Sequence, residues 1–171
     1  MVLLNILRQR LAELRKRISN MEKIELEPIG FVSTNAVEKE VRHRKHISSI
    51  ILREDLTETL DGIEDFSHLF VFFWMHRIPT KQKRVLKVHP RGRDDMPLVG
   101  TFATRTPYRP NPIGLTIVEL LNVDKNILSV RGLDAFDNTP VLDIKPFDYW
   151  DTDQDAKVPE WWKRLKREPE R

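Results

Sequence analysis

TRTPYRPNPIGLTIVELL, Thr104 to Leu121, changes character in its middle. Its second half is a run of aliphatic and β-branched residues with no helix-period polar face, and it reads as a strand. Its first half packs Arg105, Pro107, Arg109, Pro110 and Pro112 into eight residues. Proline fixes φ near −65°, cannot donate a ladder hydrogen bond, and biases the preceding residue toward extended backbone. The loop is therefore held extended and ordered in advance, and it presents two planar guanidinium forks. A loop that has already lost its conformational entropy is suited to gripping a ligand or a second subunit. A proline-braced barrel corner with two surface arginines is the plainer reading of the same residues.

Strand-like segments continue on both sides of this stretch. IELEPIGFVS, HISSIIL, HLFVFFWM, KRVLKVHP and LVGTFAT precede it, and NILSVRGL and TPVLDIK follow. DLTETLDGIEDF reads as a short helix or turn, and LLNVDKNILSV as a hairpin joined around Asp124, Lys125 and Asn126. About eight short strands without regular intervening helices argue against a doubly wound parallel sheet. They predict a mainly β fold, a small antiparallel or mixed β-barrel with short flanking helices at both termini.

The ends differ from this middle. Leu4, Leu7, Leu11, Leu14, Ile18 and Met21 are spaced 3, 4, 3, 4, 3, an a/d seam on a helix of roughly five turns. It is too short for a stable free coiled coil, so it packs on the domain or pairs with a second copy. The tail VPEWWKRLKREPER starts as a helix at Pro159 and ends basic. The chain is thus expected to divide into an amphipathic helix (1–22), a barrel domain (23–150) and a basic, Trp-containing tail (151–171).

Composition and motif exclude more than they assign. With no cysteine, the chain has no disulfide framework, thiolate zinc site or cysteine nucleophile, which fits a cytoplasmic location. No apolar run approaches the roughly 20 residues that span a bilayer. There is no phosphate-cradling G-x-x-x-x-G-K-[ST], no G-x-G-x-x-G after a strand and no G-x-S-x-G. His43 and His46 are three apart, but arginine and lysine crowd them, and no metal is expected. The net charge of +3 is small, but its distribution is uneven. Arg77 to Arg93 carries seven lysines and arginines and no acid, whereas Asp134 to Asp155 carries seven aspartates against Lys145 alone. A basic stretch of this kind attracts phosphates, and equally makes a well-solvated surface.

Two further segments hold candidate site residues. In RGLDAFDNTPVLDIKP, Asp134 and Asp137 follow a strand, where strand ends commonly carry sites; Asp-Asn-Thr-Pro is also a plain turn, and Asp143 fits an ion-paired strand residue. In FSHLFVFFWMHR, His76 and Arg77 end the most hydrophobic strand and should emerge at the barrel rim, where a structural histidine is the simpler reading.

Together, EDFSHLFVFFWMHR, GTFATRTPYRPNPIGLTIVELL and VRGLDAFDNTPVLDIKPF resemble the TsaA-like family, also called the tRNA methyltransferase O family. The resemblance covers roughly Ile24 to Phe147, and the R-x-P-x-R-P-N-P-I-G-L block is its most specific part. It implies a small β-barrel methyltransferase that uses S-adenosyl-L-methionine, acts as a homodimer and methylates N6 of threonylcarbamoyladenosine (t6A) beside the anticodon of tRNA. By that resemblance His76, Arg77, Arg105, Leu115, Leu133, Asp134, Ala135 and Phe136 contact the cofactor. The family's Pro-Arg-Gln motif is missing from the loop TNAVEKEVRHRKH, Thr34 to His46, and nothing is carried over there. Asn138 stands where glycine is common, and asparagine tolerates the left-handed backbone such a turn needs.

Transfer to an adenine amine suits a carboxylate that orients the nitrogen or takes its proton, so Asp134, or else Asp137, is the expected catalytic group. Arg42, Arg44, Lys45, Lys83, Arg84, Lys87, Arg91, Arg93 and Arg109 are the expected RNA contacts. Two alternatives stay open: a methyltransferase for another substrate, and a non-catalytic RNA-binding barrel in which Arg105, Tyr108 and Arg109 clasp bases.

Overall fold

A computed structural model describes residues 2–20, 23–152 and 155–166. Among these residues eight strands form: β1 (Gly30–Ser33), β2 (Ile47–Leu52), β3 (His68–Trp74), β4 (Lys87–Val88), β5 (Val99–Gly100), β6 (Ile113–Asp124), β7 (Ile127–Arg131) and β8 (Pro140–Pro146). Six of them close into a barrel in the order β1-β2-β7-β6-β3-β8, with every pairing antiparallel. The mainly β barrel is therefore the observed fold. Strand alternation builds its core, because every second side chain points inward. Leu69, Val71 and Phe73 of β3 face Val118 of β6, Leu128 and Val130 of β7, Ile50 of β2 and Val141 of β8, and all are buried.

One close approach fixes the sequence locally. Gly114 of β6 lies opposite Phe73 of β3, and a Cβ there would come within 2.3 Å of the Phe73 ring. Glycine leaves the space beside the strand that the buried Phe73 ring occupies.

Helix α1 (Val2–Ser19) has the expected length, and Leu7, Leu11 and Leu14 of its seam are exposed; Met21 lies outside the described residues. α3 (Glu160–Lys166) begins directly after Pro159. The segment Glu54–Asp65 is two short 3₁₀ turns, as the sequence suggested. The β6–β7 hairpin turns at Lys125, whose φ is 54°. Two strands are shorter than expected: KRVLKVHP contributes only Lys87–Val88, and LVGTFAT only Val99–Gly100. They pair with each other alone, with Pro90 just beyond one and Pro97 just before the other. Without a second neighbour and with proline beside each, the ladder does not extend. The sequence reading also missed α2 (Glu38–His43). Val41 is its buried anchor, and the Glu40 carboxylate accepts a hydrogen bond from the Val37 N–H.

Because all six barrel strands alternate in direction, their connections alternate between two ends. The β1–β2, β3–β6 and β7–β8 connections share one rim. The other end holds Glu54–Asp65, where Glu54, Asp55, Glu58, Asp61, Glu64 and Asp65 are all exposed and no basic residue intervenes.

Candidate functional site

Nearly all the candidate residues lie on the three connections that share one rim. Arg42, Arg44 and Lys45 come from the β1–β2 connection. His76, Arg77, Lys83, Arg84, Lys87, Arg91, Arg93, Arg105 and Arg109 come from the long β3–β6 connection. Leu133, Asp134, Ala135, Phe136 and Asp137 come from the β7–β8 connection. Leu115 is the exception: it sits on β6 and points outward, 51% exposed.

The rim is tied together by specific contacts. Arg44 adopts a left-handed backbone (φ 53°) and donates to Asp134 Oδ2 at 2.6 Å, bridging two connections. Asp137 accepts the Thr34 N–H at 3.0 Å through Oδ1 and the Asn138 side-chain amide at 2.6 Å through Oδ2. Both oxygens of Asp137 are thus engaged in holding the turn, whereas the bond of Asp134 uses Oδ2 alone. Asn138 has φ 59°, the left-handed conformation its residue type tolerates. Leu133 and Ala135 are buried in the barrel core, so they offer a ligand their backbone rather than their side chains. The Arg77 guanidinium lies 4.3 Å above the Phe136 ring, an arrangement attractive through the ring quadrupole. Next to it, His76 Nδ1 lies 3.4 Å from the Thr139 hydroxyl. Loss of hydration lowers the His76 pKa from its usual 6.5, and the Arg77 charge lowers it further.

The Pro-rich loop is braced from within. Arg109 Nη1 donates to the carbonyls of Thr104 and Thr106, and its guanidinium lies 5.8 Å from the Phe102 ring centroid. Arg105 faces Trp162 of α3 at 6.0 Å. Leu165 of α3 is buried, as is Met96 of the β3–β6 connection, and neither belongs to the barrel core. Arg93 holds the Asp95 carboxyl below the ordinary carboxylate range, and the charge of Arg164 on α3 adds to the effect. α3 therefore sits against the connection that carries the basic residues. Phe102 and Trp162 are the site neighbours the sequence reading missed. Phe102 precedes Arg109 by seven residues, a local signal that was available, whereas nothing local ties Trp162 to Arg105.

On the outside of the barrel, β3 and β6 pair Phe70 with Ile117, Phe72 with Leu115 and Trp74 with Ile113. All six side chains point away from the core and are at least partly exposed, a continuous apolar strip that surrounds Leu115. Two shallow, open concavities lie elsewhere, one along α1 beside Glu13, Lys16, Arg17 and Asn20, the other beside Glu64 and Leu120 to Val123. Among the described residues no cluster of metal-ligating side chains forms and no helix is long and apolar enough to cross a membrane.

Residues 31–153 match the family model described as the tRNA-methyltransferase O N-terminal domain. The chain is 42% identical over 141 residues to a "Probable S-adenosyl-L-methionine-binding protein" of Methanothermobacter thermautotrophicus, covering 80% of this chain and 97% of that one. It is 39% identical over 127 residues to an S-adenosyl-L-methionine-binding protein of Archaeoglobus fulgidus, covering 71% of this chain and 88% of the relative. The crystal structure of TrmO from Pseudomonas aeruginosa superposes with a TM-score of 0.63 at 30% identity, covering 80% of this chain and 62% of the solved one. The chain thus spans most of those two relatives but less than two thirds of that solved TrmO.

Proposed function

Because this chain belongs to the tRNA-methyltransferase O family, we propose that it is an S-adenosyl-L-methionine-dependent tRNA methyltransferase whose target is N6 of t6A. The observation that carries this reading is the convergence of three connections on one rim, where cationic, apolar and carboxylate groups stand together.

The residues present suit the cofactor. Its carboxylate matches the Arg77 and Arg105 guanidinium groups, its adenosine matches Phe136 and Leu115, and the backbone from Leu133 to Phe136 supplies hydrogen-bonding groups at the rim. When bound, the cofactor supplies an activated methyl group. The contribution of the chain is placement: the substrate nitrogen must meet that carbon in line with the leaving sulfur, and such alignment lowers barriers by about 7–11 kcal/mol in favourable cases. The nitrogen gives up one proton as the new N–C bond forms. Asp134 is the carboxylate suited to orient the amine or take that proton, because both oxygens of Asp137 already hold the turn.

Leu115 lies outside the barrel on the β3–β6 apolar strip. A second copy packed on this strip would cover those side chains and make Leu115 a wall of the cofactor pocket, so the active form is a homodimer. Lys83, Arg84, Lys87, Arg91 and Arg93, together with Arg42, Arg44 and Lys45, face the tRNA phosphates.

Nucleoside mass spectrometry of t6A-containing tRNA, incubated with the protein and S-adenosyl-L-methionine, tests the reading. The expected result is a gain of one methyl on t6A and none on tRNA lacking the modification. Cofactor binding without methyl transfer to t6A would move the reaction to another nucleophile.

A further inference from the structure

We propose that Phe102, braced by Arg109, is a stacking platform for one unpaired nucleobase. The proposal rests on the tRNA reading above and adds a subsite to it. Phe102 lies in a short 3₁₀ turn, Thr101–Ala103, between β5 and the Pro-rich loop, and 77% of its surface is exposed. Burying a phenylalanine is strongly favourable, so a ring left this open on a loop makes a ready face for a flat, apolar partner.

Two observations point that partner toward a base. First, the Arg109 guanidinium stands 5.8 Å from the ring centroid. Its position is set by bonds to two carbonyls of its own loop, those of Thr104 and Thr106, so the ring and a fixed cation present a joint surface. A guanidinium plane and an aromatic face both stack on bases, and neither depends on base identity.

Second, the turn is locked to the most basic part of the chain. The Thr101 N–H donates to the Leu86 carbonyl at 3.0 Å, and Lys87 pairs with Gly100. Leu86 is itself 79% exposed, with Arg84 and Lys87 on either side of it in the chain. Phosphate-seeking cations and an apolar face thus occupy one small patch, the combination that binds single strands. Because a ring stacks only on a base that is not already stacked within a duplex, the ligand of this subsite is an unpaired nucleotide of a loop or single strand.

The experiment compares the wild-type protein with Phe102→Ala and Phe102→Trp, using tRNA and a uridine homopolymer as probes across a salt series. Phe102→Ala is expected to weaken binding of both probes by about 5- to 150-fold. The slope of log affinity against log salt should stay unchanged, because no phosphate contact is lost, whereas Lys87→Gln should make it shallower. Phe102→Trp should retain wild-type affinity. Wild-type binding with no loss in Phe102→Ala overturns the platform and leaves the tRNA reading intact. Loss of affinity that tracks dissociation of a dimer in sedimentation also overturns it, by assigning Phe102 to contact with a second copy. Failure of the wild-type protein to bind either probe defeats the tRNA reading itself.

Discussion

Arg44 and Asp134, ninety positions apart in the chain, meet at 2.6 Å and join the connection after β1 to the connection after β7. Both side chains remain substantially exposed, so the pair contributes only about 0.2–1 kcal/mol to stability. Asp134→Asn keeps the shape and removes the charge. It should lower the unfolding free energy by less than about 1 kcal/mol in urea titrations, yet reduce single-turnover methyl transfer by about 100-fold or more. Full turnover in this variant would remove Asp134 from the chemistry.

His76 carries a pH signature with a definite sign. Its pKa is lowered in the folded protein, chiefly by loss of hydration and secondarily by Arg77. The unfolded chain therefore binds the proton first as pH falls through the usual value of 6.5. Stability contributed by neutral His76 is fully present above that value and is lost as pH drops toward the folded pKa. An NMR titration should find the His76 midpoint below 6.5, and Arg77→Gln should raise it only part of the way. A full return would make the Arg77 charge, rather than dehydration, the main cause.

Two glycines should differ in what replacement costs. In Gly114→Ala the new methyl meets the buried Phe73 ring at 2.3 Å, an overpacking cost of about 1–3 kcal/mol. Replacing Phe73 with leucine in the same chain should recover part of it. In Gly30→Ala the obstacle is the Ile51 carbonyl oxygen, also at 2.3 Å. That atom is backbone of β2 and cannot swing aside, so thermal denaturation should place Gly30→Ala below Gly114→Ala. The reverse order would mean that β1 shifts more easily than the ring.

Ile117→Glu puts a charge on the outer strip without touching the rim. If the proposed homodimer packs on this strip, sedimentation should find dimers of the wild-type protein and monomers of this variant, and calorimetry should find S-adenosyl-L-methionine binding weakened in parallel. A monomer that binds the cofactor with unchanged affinity would mean that one chain forms the pocket alone.

Much of the architecture was legible because short runs rich in β-branched and aromatic residues, bounded by turn residues, mark strands. HLFVFFWM and IGLTIVELL are such runs, and they became the two longest-paired neighbours of the barrel. The same signal overstated β4 and β5, since propensity cannot see that a segment lacks a second neighbour. α2 was missed because only Val41 buries itself, and one apolar residue in six leaves no helical period to read. At the site, proline and arginine spacing exposed the stiff loop, but the pairing of Arg44 with Asp134 and of Arg105 with Trp162 depends on barrel closure and on the placement of α3. No local pattern encodes either.

The separation of the two barrel ends also bears on how a polyanion arrives. Six exposed acids crowd the end built from Glu54–Asp65, while Arg77 to Arg93 extends from the other, so the molecule carries a charge axis along the barrel despite its small net charge. Such an axis turns an approaching protein before contact and raises the fraction of collisions that meet the correct end first. In the proposed tRNA complex the acids far from the rim would act on the association rate and its ionic-strength dependence, and the groups at the rim on the lifetime.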